Sequence, residues 1–131
     1  MKVMLDTSFL LAAMEGKIDI VSELQKFDRP ELYVLDLVMK ELKSFSAGRS
    51  RKAFFSRLSL DFIQKSGTEI VKTVRGQTDR RIVSYAINHE MWVCTMDTAM
   101  KKMLRKRGVP VVTIRQGKYL VNIHQLSRPR G

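Results

Sequence analysis

Lys2-Val3-Met4-Leu5-Asp6-Thr7-Ser8-Phe9-Leu10-Leu11-Ala12 opens the chain and decides how it folds. Val3, Met4 and Leu5 form a short apolar run that stops at a carboxylate, Asp6; Phe9 to Ala12 restart the apolar pattern. A strand covered on both faces reads as a brief apolar run instead of a strict alternation, which is the habit of parallel sheets. Thr7 to Met14 reads as a short helix that Gly16 is placed to stop. A strand that ends in Asp-Thr-Ser and turns into a helix puts an acid at its carboxyl end, the edge at which open α/β sheets bind ligands.

Working outward, the alternation continues. A helix is expected from about Ile18 to Phe27, then turn chemistry at Asp28-Arg29-Pro30, then a strand from Leu32 to Leu35 that ends at Asp36. The next helix carries Val38, Leu42 and Phe45 on one face. After a polar break, Arg51 to Gln64 returns to helix with Phe54, Leu58 and Phe62 inward at i, i+4 and i+8. Glu69 to Val74 reads as a strand, Gly76-Gln77-Thr78 as a loop, and Asp79 to Glu90 as a helix burying Ile82, Val83, Ala86 and Ile87. Met91 to Thr95 is a fourth strand. Asp97 to Lys106 is a helix with Met100, Met103 and Leu104 inward and a basic outer face, stopped by Gly108-Val109-Pro110. Val111 to Ile114 is a fifth strand, and Tyr119 to Ile123 is placed to add an edge strand. Strands alternating with helices imply right-handed crossovers, hence a three-layer α/β/α sandwich around a central parallel five-stranded sheet, with residues 1–131 as one domain.

Lys and Arg total 24 against 13 acids, a net charge of +11, and 44% of the residues are apolar. The apolar share suits a folded core. The charge favours a polyanionic partner, nucleic acid before a membrane surface. Cys94 is the only cysteine, which excludes an internal disulfide and a cysteine-based zinc cluster; its apolar neighbours point to inert burial. No apolar run approaches the roughly 20 residues of a membrane span. The N-terminal stretch, reaching an acid at Asp6, lacks the layout of a signal peptide, so a cytoplasmic protein is expected.

Four acids are expected at the same sheet edge: Asp6 after strand one, Glu41 in the helix after strand two, Asp79 opening a helix after a glycine loop, and Asp97 just past strand four. Asp6, Asp79 and Asp97 each also suit a helix N-cap, and Asp36 is read as a cap only. Glu41, between Val38 and Phe45, is too far into its helix to cap it, and an acid facing partly inward is costly unless paired or bound to a cation. Crowded carboxylates repel one another and hold protons. A divalent cation with oxygen preference, Mg2+ or Mn2+, relieves that repulsion and activates water toward a phosphate. No other catalytic set competes: His89 and His124 have no evident partners, and Gly76-Gln77-Thr78 lacks the lysine and the length of a phosphate-binding loop.

Taken together, Asp6-Thr7-Ser8, Lys40-Glu41-Leu42, Asp79 followed by Ile82, Val83 and Ala86, and Thr95-Met96-Asp97 resemble a PIN-domain nuclease over essentially the whole chain. The resemblance implies a parallel α/β fold with helices on both sides and a Mg2+ or Mn2+ site that cleaves single-stranded RNA. Carried over by position, Asp6, Glu41, Asp79 and Asp97 are its metal-binding and catalytic carboxylates, with Ser8 and Thr95 as supporting hydroxyls. Asp97 to Lys102, Arg105 to Val111 and the stretch through Lys118-Tyr119 resemble the PIN proteins of small-subunit ribosomal RNA processing. VapC toxins share the acids but usually lack the basic Gly-Val-Pro segment. Gln77-Thr78 stands where an acid-rich run is found in the family, leaving a four-acid site, and no zinc module is present. The resemblance also makes a homodimer an expectation. Two alternatives to rRNA processing stay open, a VapC-like toxin and a non-catalytic RNA-binding assembly factor.

Residues 98–131 contain no acid. Lys101, Lys102 and Arg105 there, together with Arg80 and Arg81 beside Asp79, are the expected RNA contacts; Arg75 also flanks Asp79, and Arg49, Arg51, Lys52 and Arg57 form a further basic group.

Overall fold

The computed structural model describes residues 1–73 and 78–123. Its elements run β1 (Lys2–Leu5), α1 (Thr7–Glu15), α2 (Ile20–Leu24), β2 (Glu31–Leu35), α3 (Asp36–Phe45), α4 (Arg51–Lys65), β3 (Glu69–Val71), α5 (Thr78–Asn88), β4 (Trp92–Cys94), α6 (Thr98–Lys106), β5 (Val111–Arg115) and β6 (Tyr119–Asn122). The strands form one sheet in the order β3-β2-β1-β4-β5-β6. The first five are parallel, as the sequence implies, and β6 joins the edge antiparallel to β5. The hairpin to β6 closes because Gln116 and Gly117 both take positive φ, 56° and 64°, and Lys118 N–H bonds Arg115 C=O. That is the mirror-image turn whose twist suits paired strands.

β1 sits between β2 and β4, with Met4 opposite both Tyr33 and Val93. Val3, Met4, Leu5, Val93, Cys94, Val111 and Val112 are wholly buried, which is why these strands read as unbroken apolar runs. The connections carrying α1 to α4 run from β1 toward β3; those carrying α5 and α6 run back past β1 toward β5. Right-handed crossovers therefore set the two helix groups on opposite faces. In agreement, α1, α3 and α4 pack on one another, and α5 packs on α6. The order of strands reverses between β1 and β4, so the crevice beyond their carboxyl ends is the topological switch point. Gly16, after α1, is needed for a close approach: a Cβ there would lie 2.5 Å from the Gly117 carbonyl oxygen.

Four expectations about side-chain direction need correction. α4 does not bury Phe54 and Leu58; Phe54 is 51% exposed, Leu58 is exposed too, and the inward face is Ala53, Ser56, Ser59 and Ile63. The serines can be buried because each hydroxyl donates to the carbonyl four residues back, Ser56 to Lys52 and Ser59 to Phe55, both at 2.8 Å. Their small size lets α4 lie close against α1 and α3. On the other face Ile87 and Met103, expected inside, lie exposed along facing helices. Asp36 is not at the N-cap position of α3, which Leu35 occupies. Asp36 is the helix's first residue, and its carboxylate accepts from Thr73 N–H at 3.2 Å and from Thr73 Oγ1 at 2.8 Å. Elsewhere α2 is shorter than expected, and the expected reach of β3 to Val74 lies outside the described residues.

Candidate metal centre

Asp6 stands at the end of β1, and its N–H bonds the Cys94 carbonyl at 3.0 Å, so the carboxyl ends of β1 and β4 are fastened together. Its side chain is 6% exposed. One carboxylate oxygen accepts from Thr7 N–H at 2.9 Å. The other accepts from Ser8 Oγ at 3.0 Å and from Thr95 Oγ1 at 2.7 Å. Each hydroxyl has a single proton. With both protons spent on Asp6, the 3.4 Å approach of Ser8 Oγ to Thr95 Oγ1 is a contact between two oxygens. Each hydroxyl also accepts a backbone N–H: Ser8 from Met96, Thr95 from Asp97, both at 3.1 Å. The expected supporting role of Ser8 and Thr95 thus has a definite form. They transmit the position of one acid, Asp6, to the loop that carries another, Asp97.

Asp97 is the N-cap of α6, with one oxygen accepting Met100 N–H at 2.8 Å. The cap uses that one hydrogen bond and leaves the charge in place. Glu41 lies half-buried in the second turn of α3, between the buried Val38 and Leu42. Asp79 lies exposed in the first turn of α5.

Coulombic coupling among the acids runs through Asp79. Partial burial, then Asp97, then Glu41 raise the Asp79 carboxyl above its ordinary range. Burial also raises Asp6, against the pull of Thr95, Ser8 and Thr7, and Asp79 adds to the rise. Asp79 is therefore the electrostatic hub, coupled to each of the other three. The ion pairs described lie elsewhere: Lys26–Glu23, Arg51–Glu15 and Lys65–Asp61. Among the described residues no three acids, histidines or cysteines stand close enough to enclose an ion unaided. The donor set still fits a hard divalent cation. All its ligating atoms are oxygens, the charges repel, and Mg2+ typically binds through one or two carboxylates and keeps several waters.

The expected RNA-contacting residues divide. Arg80 is exposed and Arg81 half-buried beside Asp79. Lys101, Lys102 and Arg105 share one side of α6 with Thr98 and Lys106, lining a shallow basic surface. Arg105 is half-buried, with Nε enclosed and without a hydrogen-bond partner among the described residues. Three of the other basic residues are committed to structure: Arg51 pairs with Glu15 at 2.8 Å, Arg57 holds the Ser46 and Gly48 carbonyls, and Lys52 lies 3.7 Å from the Phe45 ring centre. Arg75 and His124 fall outside the described residues. Cys94 is buried, and burial pushes its thiol far up, so the inert role holds. Sequence reasoning missed the exposed pair Ile87 and Met103 and the tie from Asp36 to Thr73.

Known proteins are similar to this chain in sequence and in fold. The profile of the PIN-like domain family matches residues 3–117. Ribonuclease VapC4 of Methanocaldococcus jannaschii is 26% identical over 122 residues, spanning 90% of this chain and 93% of its own. Ribonuclease VapC9 of Archaeoglobus fulgidus is 24% identical over 114 residues, spanning 86% and 82%. Among solved structures, the PIN domain endonuclease Utp24 matches with a TM-score of 0.78 at 24% identity, over 92% of this chain and 90% of that one. A domain of a functionally unknown protein from Methanocaldococcus jannaschii matches at 0.59 and 17%, over 87% and 91%.

Proposed function

The chain belongs to the PIN-like domain family, and from that premise we propose that it is an endoribonuclease that hydrolyses phosphodiester bonds of single-stranded RNA with Mg2+ or Mn2+ held at Asp6, Glu41, Asp79 and Asp97. The observation that carries this reading is Asp79: a carboxylate raised by partial desolvation and by two further carboxylates, Asp97 and Glu41, on a chain with a net charge of +11. Carboxylates that raise one another are costly to keep together unless a cation belongs there. The similarity to two ribonucleases over most of the chain supports the same activity.

When bound, the ion supplies a Lewis acid and lowers the pKa of its water. The chain's own residues do the rest. Thr95 and Ser8 fix the Asp6 carboxylate by donating to one of its oxygens, leaving little rotamer freedom to lose when it takes up a ligand. The N-cap bond holds Asp97 in place. Glu41 and Asp79 come from different helices, α3 and α5, and would supply the remaining carboxylates. Arg80 and Arg81 beside Asp79, and Lys101, Lys102 and Arg105 on α6, offer positive charge to the phosphates on either side of the cut.

For the biological substrate we favour precursor ribosomal RNA, on the acid-free basic segment that follows Asp97. The VapC similarity favours a second reading, a toxin acting on other RNAs. Cleavage of a labelled single-stranded RNA with Mn2+, with and without chelator, by wild type and Asp79→Asn tests the chemistry. Metal-dependent cleavage lost in the variant is expected; equal cleavage by both would overturn the assignment. Crosslinking in cells and sequencing of the bound RNA separates the two substrates: precursor rRNA supports the first, transfer or messenger RNA the second.

A further inference from the structure

Ile87 on α5 and Met103 on α6 are 37% and 39% exposed, although their spacing belongs to buried helix faces. They face each other across a groove of about 520 Å³ lined also by Val83, Ser84, Asn88, Arg80 and Arg107. Both helices start at the carboxyl edge of the sheet, α5 with Asp79 in its first turn and α6 at its cap Asp97. They run in the same sense, so Arg80 marks the acid end of the groove and Arg107 the far end. Seven residues of helix separate Arg80 from Ile87, on the order of 10 Å. The groove thus starts at Arg80, the neighbour of Asp79 in the first turn of α5, and leads away from the acids.

Its chemistry is specific in kind. Among the described residues no acid lines it, and an arginine stands at each end. Guanidinium groups suit phosphate oxygens as planar forks. Between them, Met103 and Ile87 make an apolar floor, and methionine is polarisable and adaptable against a flat ring. Ser84 and Asn88 offer hydrogen bonds to a ring edge. The volume lies within the range of small-ligand sites.

We propose that the α5–α6 groove seats the nucleotide adjoining the cleaved phosphate, its base on Ile87 and Met103 and its flanking phosphates on Arg80 and Arg107. The proposal rests on the ribonuclease reading and deepens it, since it gives the RNA a path away from the acids along a side of α6 distinct from the Lys101–Arg105 surface.

The test uses the full chain carrying Asp97→Asn, so that RNA stays intact, with 13C-methyl-labelled methionine and hexauridylate as the probe. The Met103 methyl resonance is expected to move on titration while the buried Met4 stays still. Ile87→Ser with Met103→Ser is expected to weaken binding about 5-fold through lost apolar contact. Arg107→Gln is expected to lower the slope of log affinity against log salt by about 0.7, one single-strand phosphate contact. Both sets of residues are exposed, so unchanged melting should accompany these effects. An unmoved Met103 methyl at saturating RNA would overturn the proposal. So would a shift produced by an acidic peptide and not by RNA, which would make the groove a protein-docking site. In wild-type background, normal cleavage with an unchanged KM in the serine double variant would overturn the groove alone; a moving Met103 methyl in a chain that never cleaves RNA would uphold the groove and overturn the nuclease reading.

Discussion

Asp97 does two things that one pair of substitutions can separate. Its Oδ1 accepts Met100 N–H and caps α6, and its charge raises the Asp79 carboxyl. Asparagine caps about as well as aspartate, whereas alanine costs about 1 kcal/mol, within a range of roughly 0.5–2. Losing the negative charge at the helix N-terminus adds about 0.3 kcal/mol at an exposed site. Asp97→Ala should therefore lower Tm by about 3–6 °C for a domain of this size, and Asp97→Asn by about 1 °C. α6 will not detach in either, because Met100 and Leu104 remain buried beneath it. Mn2+-dependent cleavage should fall by at least about 100-fold in both, more than loss of an outer-shell partner typically costs. Thermal melts by circular dichroism and initial rates on a labelled single-stranded RNA, each with a chelator blank, read the two effects. If activity follows stability, with asparagine active and alanine impaired, Asp97 is a cap and nothing else, and the metal site loses a member.

The remaining expectations concern the ion, the acid limb and the packing. Mn2+ at about 100 times its dissociation constant should stabilise wild type by about 2.7 kcal/mol; Asp79→Asn should lose most of that gain in a melt with added Mn2+. Without metal, the same variant should melt slightly higher at neutral pH, by about a few tenths of a kcal/mol, because it removes like-charge repulsion; a clear drop would show that Asp79 is stabilising as it stands. For Asp36 burial pushes the carboxyl up, but the bonds from Thr73 and the helix N–H groups outweigh it and hold the folded value below the ordinary one. A depressed acid stabilises above its unfolded pKa, near 3.9, and loses that contribution as pH falls through the folded value. Asp36→Asn should therefore flatten the stability profile below about pH 4, and an unchanged acid limb would count against the tie. Ser59→Leu should cost about 1–3 kcal/mol by overpacking the seam under α4, whereas Phe54→Ser on the same helix should stay within about 0.5 kcal/mol; chemical denaturation tells the two apart.

The sheet was legible because doubly covered parallel strands must be short and apolar, and Val3-Met4-Leu5 and Val111-Val112 allow no other use. The acids were legible for a related reason: each follows or lies shortly after a strand, and parallel topology sends all such positions to one edge. What was hidden is which side of a helix faces in. On α4, the aromatic spacing of Phe54, Leu58 and Phe62 outweighed the alternative set of Ser56 and Ser59, since buried serine is normally costly. Back-bonding to the helix carbonyls removes that cost, and nothing in the one-dimensional pattern signals it. Ile87 and Met103 misled for the opposite reason. Their spacing is that of a core, but the two helices lie far enough apart to leave a groove between them. Asp36 followed a strand as Asp6 does, and only the register of β2 with β3 brings Thr73 to it.

Capping and metal binding are not competing explanations for the same aspartates, and the hydroxyl network shows why. Asp6-Thr7-Ser8 and Thr95-Met96-Asp97 are related patterns, an acid and a hydroxyl separated by one residue, in opposite order. In the folded chain both hydroxyls donate to the Asp6 carboxylate, and both accept from the backbone of the β4–α6 loop, at Met96 and Asp97. As the N-cap of α1, Asp6 uses one oxygen, which accepts Thr7 N–H. The two additional bonds converge on its other oxygen, yet burial still leaves the carboxyl raised. Three donors spent on an acid whose carboxyl burial nonetheless raises are more than a helix end requires. They make sense as the means of holding a carboxylate in a fixed direction against desolvation, ready for a charge that the chain itself does not supply.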